Sequence, residues 1–147
     1  MEEGELQIRP LTAEEENAKV AALQLAARLV GATPPLSLDQ VQALYYVIRD
    51  DFPDFQEAQI GIGIAFGELI AAKAGLEWVR LTDEYGSETS LAPAGFQEAC
   101  HPISMIQKRI ERREDLDLAD LRDWTIEQIQ KGIEQGRWGP RNTGHTG

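Results

Sequence analysis

Between Asp54 and Leu76 the chain reads DFQEAQIGIGIAFGELIAAKAGL, its longest mostly apolar run, and no other stretch constrains the fold as much. Gly63, Gly67, Ala71 and Gly75 recur every four residues, which on a helix makes one smooth stripe. Phe55, Ile62, Phe66, Leu69 and Ile70 cover much of the remaining surface. A helix that is apolar nearly all round is a buried one. Glycine inside a helix costs roughly 1 kcal/mol relative to alanine, so repeated glycines imply that a neighbour packs closely. Pro53 suits the first turn, and Gly75 suits the left-handed residue that ends a helix. Gly61, Gly63 and Gly67 do not fit G-x-G-x-x-G, and no strand precedes them, which argues against a nucleotide loop. Glu68 and Lys73 interrupt the run too early for a membrane span. The expectation is a central, buried helix.

Two helices are expected before it. Residues 1–10 read as a polar lead-in closed by Pro10. Thr12 and Glu15 form a T-x-x-E capping box, and Glu14, Glu15 and Glu16 sit where the helix dipole favours anions. Gly31 and Pro34-Pro35 end that helix. Ser37 and Gln40 give a second capping box, with Leu36 and Val41 spaced as a hydrophobic staple. Val41, Leu44, Tyr45 and Ile48 make a core face at i, i+3, i+4 and i+7, and the helix is expected to stop near Ile48.

After Leu76 the period changes. Trp78, Val79 and Leu81 lie among strand formers, Asp83 to Gly86 signals a turn, and Ser87 to Ala92 reads as the return strand. Phe96 to His101 alternates as a third short strand would. Pro102 then starts a fourth helix, expected to end near Glu114-Asp115. Asp117 caps a fifth that ends at Gly136. The expected architecture is a single α+β domain over residues 1–136, with three N-terminal helices, a small antiparallel sheet at about 76–101 and two C-terminal helices. Residues 137–147 are expected to form a loose tail, with Trp138 a candidate to pack back on the domain.

Charge excludes some functions. The net charge of −11 argues against nucleic acid and anionic membranes as partners and leaves room for a basic protein. The single cysteine, Cys100, rules out an internal disulfide and fits a reducing compartment. The first residues, MEEGELQIRP, contain no apolar signal segment, so the cytoplasm is the expected location.

No catalytic signature stands out. Cys100 and His101 are neighbours, and in a strand their side chains point to opposite faces, which prevents pairing. H-E-x-x-H, C-x-x-C and calcium-loop patterns are absent, so neither metal nor cofactor is expected. Asp83-Glu84 reads as a solvated turn in which Asp83 accepts backbone N–H bonds. The conspicuous polar feature is Lys108, Arg109, Arg112 and Arg113, a basic cluster in an acidic chain. One reading pairs it internally with Glu111, Glu114, Asp115 and the acidic loop 83–88. The other places Lys108 or Arg109 near Trp78 and Tyr85 as an anion- or partner-binding corner, since arginine and tryptophan are typical hot-spot residues.

The blocks G-I-A-F-G at Gly63 to Gly67, G-L-E-W-V at Gly75 to Val79, D-E-Y-G at Asp83 to Gly86 and P-I-S-M-I-Q-K-R-I-E at Pro102 to Glu111 together resemble a bacterial domain-of-unknown-function family, the one numbered 3806, over roughly residues 55–135. The resemblance implies a small α+β domain and transfers no catalytic residue. Small acidic bacterial proteins with a similar hairpin look like immunity proteins that neutralise toxins, an analogy of form only. The leading expectation is a non-enzymatic protein-binding module, with Trp78, Asp83, Tyr85, Lys108 and Arg109 as candidate binding residues. The alternative is a small-ligand or anion-binding domain that uses Lys108 and Arg109.

Overall fold

The computed structural model describes residues 7–95 and 99–136. Among them the order is β1 (Gln7–Pro10), α1 (Ala13–Arg28), α2 (Leu38–Asp51), α3 (Gln56–Ala74), β2 (Leu76–Asp83), β3 (Gly86–Pro93), α4 (Pro102–Glu111) and α5 (Leu118–Glu134). The expected α+β domain is therefore present, with five helices and a three-stranded antiparallel sheet.

The central helix is α3, which touches α1, α2, α4, α5, β2 and β3. Its unbroken buried run from Gly61 to Gly67 explains why its apolar residues show no single-sided pattern. The small residues serve different neighbours. A Cβ added at Gly61 would lie 2.2 Å from the Ala22 carbonyl oxygen, so this glycine seats α1. At Gly63 it would meet Ile103 Cα at 2.5 Å, and at Gly67 the Trp78 ring at 2.5 Å. Gly75 faces open space; its role is the left-handed cap at φ 69. The helix starts later than Pro53 suggested: Phe55 is the N-cap residue and, having no polar side-chain atom, makes no side-chain cap bond.

Both expected capping boxes form, at Thr12/Glu15 and Ser37/Gln40. The staple residues Leu36 and Val41 are buried. Helix α2 runs through Arg49 and Asp50 to Asp51 instead of stopping near Ile48, because only Phe52, the residue preceding Pro53, is excluded from the α region. Helix α4 stops at Glu111 rather than near Glu114, and Arg113 turns the chain with φ 53.

The sheet corrects the sequence reading twice. Its order is β1-β2-β3, so residues 7–10 of the polar lead-in supply the third strand. Ile8 pairs with Leu81 and Pro10 with Val79. A four-residue edge strand with one aliphatic side chain carries almost no periodicity, and Pro10 is tolerated because edge strands can lack a donor. The expected third strand, Phe96–His101, falls partly outside the described residues; Cys100 makes only an isolated bridge to Leu91. The hairpin itself agrees, with Asp83 opposite Gly86 and Trp78 opposite Leu91. The tail with Trp138 lies outside the described residues.

Helix α2 sets the angle between α4 and α5. Tyr45 Oη donates to the Glu114 carbonyl at 2.9 Å, and Arg49 Nη1 reaches the same oxygen at 3.2 Å. Gln42 clamps the start of α5, donating to the Leu116 carbonyl and accepting from the Leu118 N–H, both at 2.8 Å. Ile106, Ile110, Leu118 and Ile129 then close the core beneath.

Candidate cavity between the last two helices

Above that core, α4 and α5 diverge around a cavity of about 390 Å³, which β3 and the approach to α4 complete. A volume near 400 Å³ lies within the range of small-molecule sites.

Three walls differ in chemistry. Helix α4 presents Met105, Lys108 and Arg109. Its periodicity aligns them with His101, at i, i+4, i+7 and i+8. Helix α5 presents Trp124, Thr125, Gln128 and Ile129. Trp124 is 56% exposed, a large apolar surface left in solvent. Thr125 is buried, and its hydroxyl donates to the Leu121 carbonyl at 2.7 Å. The third wall is Glu88, Cys100, His101 and Ser104.

That third wall is an ordered polar network. His101 Nδ1 lies 2.9 Å from Ser90 Oγ and 3.1 Å from Glu88 Oε1, while Ser104 Oγ donates to Glu88 Oε2 at 3.1 Å. An ionised carboxylate only accepts, so the network assigns a proton to Nδ1 and, in the neutral ring, leaves Nε2 as an acceptor. The hydrogen bond from His101 is the largest cause holding the Glu88 carboxyl below the usual carboxylate range, despite its partial burial. Burial pushes the Cys100 thiol up to about 12, so it is a neutral, unactivated group.

The expectation that Cys100 and His101 face apart is corrected. Residue 101 has left the extended conformation (φ −121, ψ 73) to cap α4, so strand alternation no longer applies and both residues line one cavity. No hydrogen bond joins them among the described residues. The wall offers an oriented imidazole beside a neutral thiol.

The expected internal pairing of the basic cluster forms only in part, at Arg112 with Glu114. Asp115 pairs with Arg49 at 2.8 Å, and Glu114 sits 3.7 Å from Arg112. Among the described residues, Lys108 and Arg109 have no carboxylate within 4.0 Å; Arg109 Nη1 donates to the Met105 carbonyl at 3.0 Å. Asp115 lies past the end of the short α4 and is turned toward Arg49 of α2.

Trp78 and Tyr85 do not join Lys108 and Arg109 in the cavity. Trp78 packs over Gly67, with Lys19 Nζ 5.1 Å from its ring centroid and its indole N–H donating to Glu68 at 3.3 Å. Tyr85 is 89% exposed at the hairpin tip, beside Asp83, which accepts the Tyr85 N–H at 2.8 Å as the turn reading expected. The aromatic partner of the basic pair is instead Trp124, sixteen positions beyond Lys108 in the sequence and brought near by the α4–α5 reversal.

Among the described residues, no group of three or more His, Cys, Asp or Glu side chains is arranged to hold a metal ion. No described helix is long and apolar enough to cross a membrane.

A family model, "Domain of unknown function (DUF3806)", matches residues 42–121, more than half of the chain. The chain belongs to the DUF3806 family. The match begins within α2, earlier than the sequence blocks indicated, and ends in the first turns of α5. It therefore takes in the α2 clamp as well as the hairpin and α4. No curated protein matches the chain in sequence. In fold it is similar to a Bacteroides thetaiotaomicron VPI-5482 protein whose crystal structure was solved at 1.50 Å, with a TM-score of 0.70 and 14% identity. The alignment covers 86% of this chain and 49% of the other, so the chain spans about half of that protein's length.

Proposed function

We propose that this DUF3806 domain is a non-enzymatic binding module, and that the cavity between α4 and α5 recognises a small ligand bearing an anionic group. The observation that carries this reading is the pair Lys108 and Arg109, which line a preformed cavity with no carboxylate partner among the described residues of an acidic chain. Cations kept out of the surface ion-pair network are available to an anion, and arginine suits a carboxylate or phosphate in particular. The neutral thiol of Cys100 adds no repulsion. The expected site set thus keeps Lys108 and Arg109, exchanges Trp78 and Tyr85 for Trp124, and returns Asp83 to its turn.

The test is a thermal-shift panel of small organic anions at millimolar concentration, on wild type and on Lys108→Ala/Arg109→Ala. A ligand present at a hundred times its Kd adds about 2.7 kcal/mol. For a chain of this size that is on the order of 8 °C in Tm. A shift lost in the variant is the expected result. A panel in which no anion moves the midpoint refutes the reading.

A second reading, a protein partner, is favoured by the exposed Trp124 at the rim beside exposed Lys108. An acidic side chain of that partner would then fill the same cavity, in an immunity-like or other non-enzymatic role. Stoichiometric capture that Trp124→Ala and Lys108→Ala abolish, with no small-anion stabilisation, would select it. A bacterial, cytoplasmic setting is part of the proposal, and the single cysteine, which leaves no internal disulfide, supports its reducing compartment.

A further inference from the structure

We infer that the ligand is an aromatic monocarboxylate: a flat ring against Trp124, with its carboxylate between Lys108 and Arg109. This deepens the small-anion reading and rests on it. The argument has two parts, the charge balance of the walls and the nature of the apolar surface.

Among the described residues, the charged side chains lining the cavity are Lys108, Arg109 and Glu88. Lys108, Arg109 and Glu88 together give the lining one net positive charge. Both Glu88 oxygens are already engaged, Oε1 by His101 and Oε2 by Ser104, so the carboxylate stays ionised and fixed at its end of the cavity. A monoanion neutralises the lining. A phosphate monoester, close to doubly charged at neutral pH, leaves an uncompensated charge and meets the fixed Glu88 charge. Like charges in a partly desolvated site disfavour binding, so the same Glu88 that orders the wall also selects for a single negative charge.

The remaining surface favours a ring over an acyl chain. Trp124 offers a half-exposed indole, and aromatic pairs gain about 0.5–1.5 kcal/mol beyond area burial. Met105 lies on the facing wall, and thioether sulfur makes favourable contacts with aromatic edges. Ile129 and the neutral Cys100 complete an apolar interior. Gln128 is the uncharged polar group of the α5 wall that has no hydrogen bond among the described residues.

The experiment titrates the full chain at pH 7.5 with phenylacetate, 2-naphthoate, phenylacetamide, phenyl phosphate and hexanoate. Tryptophan fluorescence and calorimetry serve as readouts. Expected are quenching by 2-naphthoate that Trp124→Phe removes, and at least tenfold tighter binding of phenylacetate than of phenylacetamide, phenyl phosphate or hexanoate. Lys108→Met should remove most of the preference over the amide. Glu88→Gln should shift the preference toward phenyl phosphate by about tenfold, a result that a merely structural role for Glu88 does not produce. If phenyl phosphate binds wild type more tightly than phenylacetate, or hexanoate equals it, the aromatic-monocarboxylate assignment is wrong while the anion site stands. If none of the five binds and the broader anion panel is also silent, the site reading itself falls.

Discussion

Replacing Gly61 by alanine tests whether close approach of α1 to α3, rather than helix preference, dictates the composition of the central helix. In an exposed helix the change is favourable by about 1 kcal/mol, because alanine loses less backbone entropy. Here the new Cβ would lie 2.2 Å from the Ala22 carbonyl oxygen, 2.6 Å from Ala26 Cβ and 2.9 Å from the Ala22 carbonyl carbon. The first distance is about 1.2 Å short of the 3.4 Å at which ordinary contact begins, and two of the three obstacles are backbone atoms. A rotamer change cannot relieve that clash, so the helices must separate. A gap of 0.5–1 Å already forfeits a quarter to a half of the dispersion attraction of the atoms involved. Overpacking of this kind costs about 1–3 kcal/mol, and a backbone obstacle places it at the upper end. Net of the propensity gain, Gly61→Ala should lose about 1–2 kcal/mol, or about 3–6 °C in Tm. Urea unfolding followed by circular dichroism measures it, with an unchanged slope showing that only stability has moved. Exposed Ala72→Gly in the same helix is the control, expected to lose about 1 kcal/mol through propensity alone. A Gly61→Ala midpoint at or above wild type would refute the argument.

Three further outcomes are expected. Tyr45→Phe removes the donor to the Glu114 carbonyl but leaves Arg49 on that oxygen, so it should cost only about 0.5–1.5 kcal/mol, against about 3–5 for Tyr45→Ala, by urea midpoint. Glu15, held at about 2 mainly by its hydrogen bond from Arg9, has a folded pKa below its ordinary value of 4.5. Its contribution is therefore complete above about pH 4.5 and lost as pH falls toward 2. The stability gap between wild type and Glu15→Gln should close over that range; a gap that widens in acid contradicts the assignment. Cys100, with its thiol at about 12, should react with iodoacetamide at pH 8 far more slowly than a free thiol and recover normal reactivity in denaturing urea.

The helices were legible because their signals are local. A capping box is complete within four residues, and both at Thr12 and Ser37 form as written. The α3 stripe implied close neighbours but not which ones: the structure seats α4 at Gly63 and Trp78 at Gly67, leaves Gly75 open, and adds α1 at Gly61, outside the stripe. Strand β1 was illegible for the opposite reason. Four residues with only Ile8 aliphatic have no period to detect, and pairing with β2 requires the chain to return after three helices. Non-local pairing of this kind is decided by the partner strand, whose Leu81 and Val79 receive Ile8 and Pro10.

The site was half legible, and the missing half follows from one boundary. A strand over residues 96–101 would put Cys100 and His101 on opposite faces, where they could not share a site. Beginning the helical count at His101, the N-cap of α4, places Met105, Lys108 and Arg109 on its face, with no reference to the rest of the fold. The same count on α5 puts Trp124 with Gln128 and Thr125 with Ile129, each pair four apart. What no count supplies is that these two faces meet. That depends on the turn after Glu111, which α2 holds through Gln42, Tyr45 and Arg49. The same turn sets Asp115 against Arg49 and the Glu114 carboxylate 3.7 Å from Arg112, so neither pairs with Lys108 or Arg109. One of the contacts that hold this turn, Arg49 to Asp115, thus also withholds a carboxylate from Lys108 and Arg109. Weakening the α2 clamp should therefore reduce ligand affinity through the geometry of the walls, without any substitution inside the cavity.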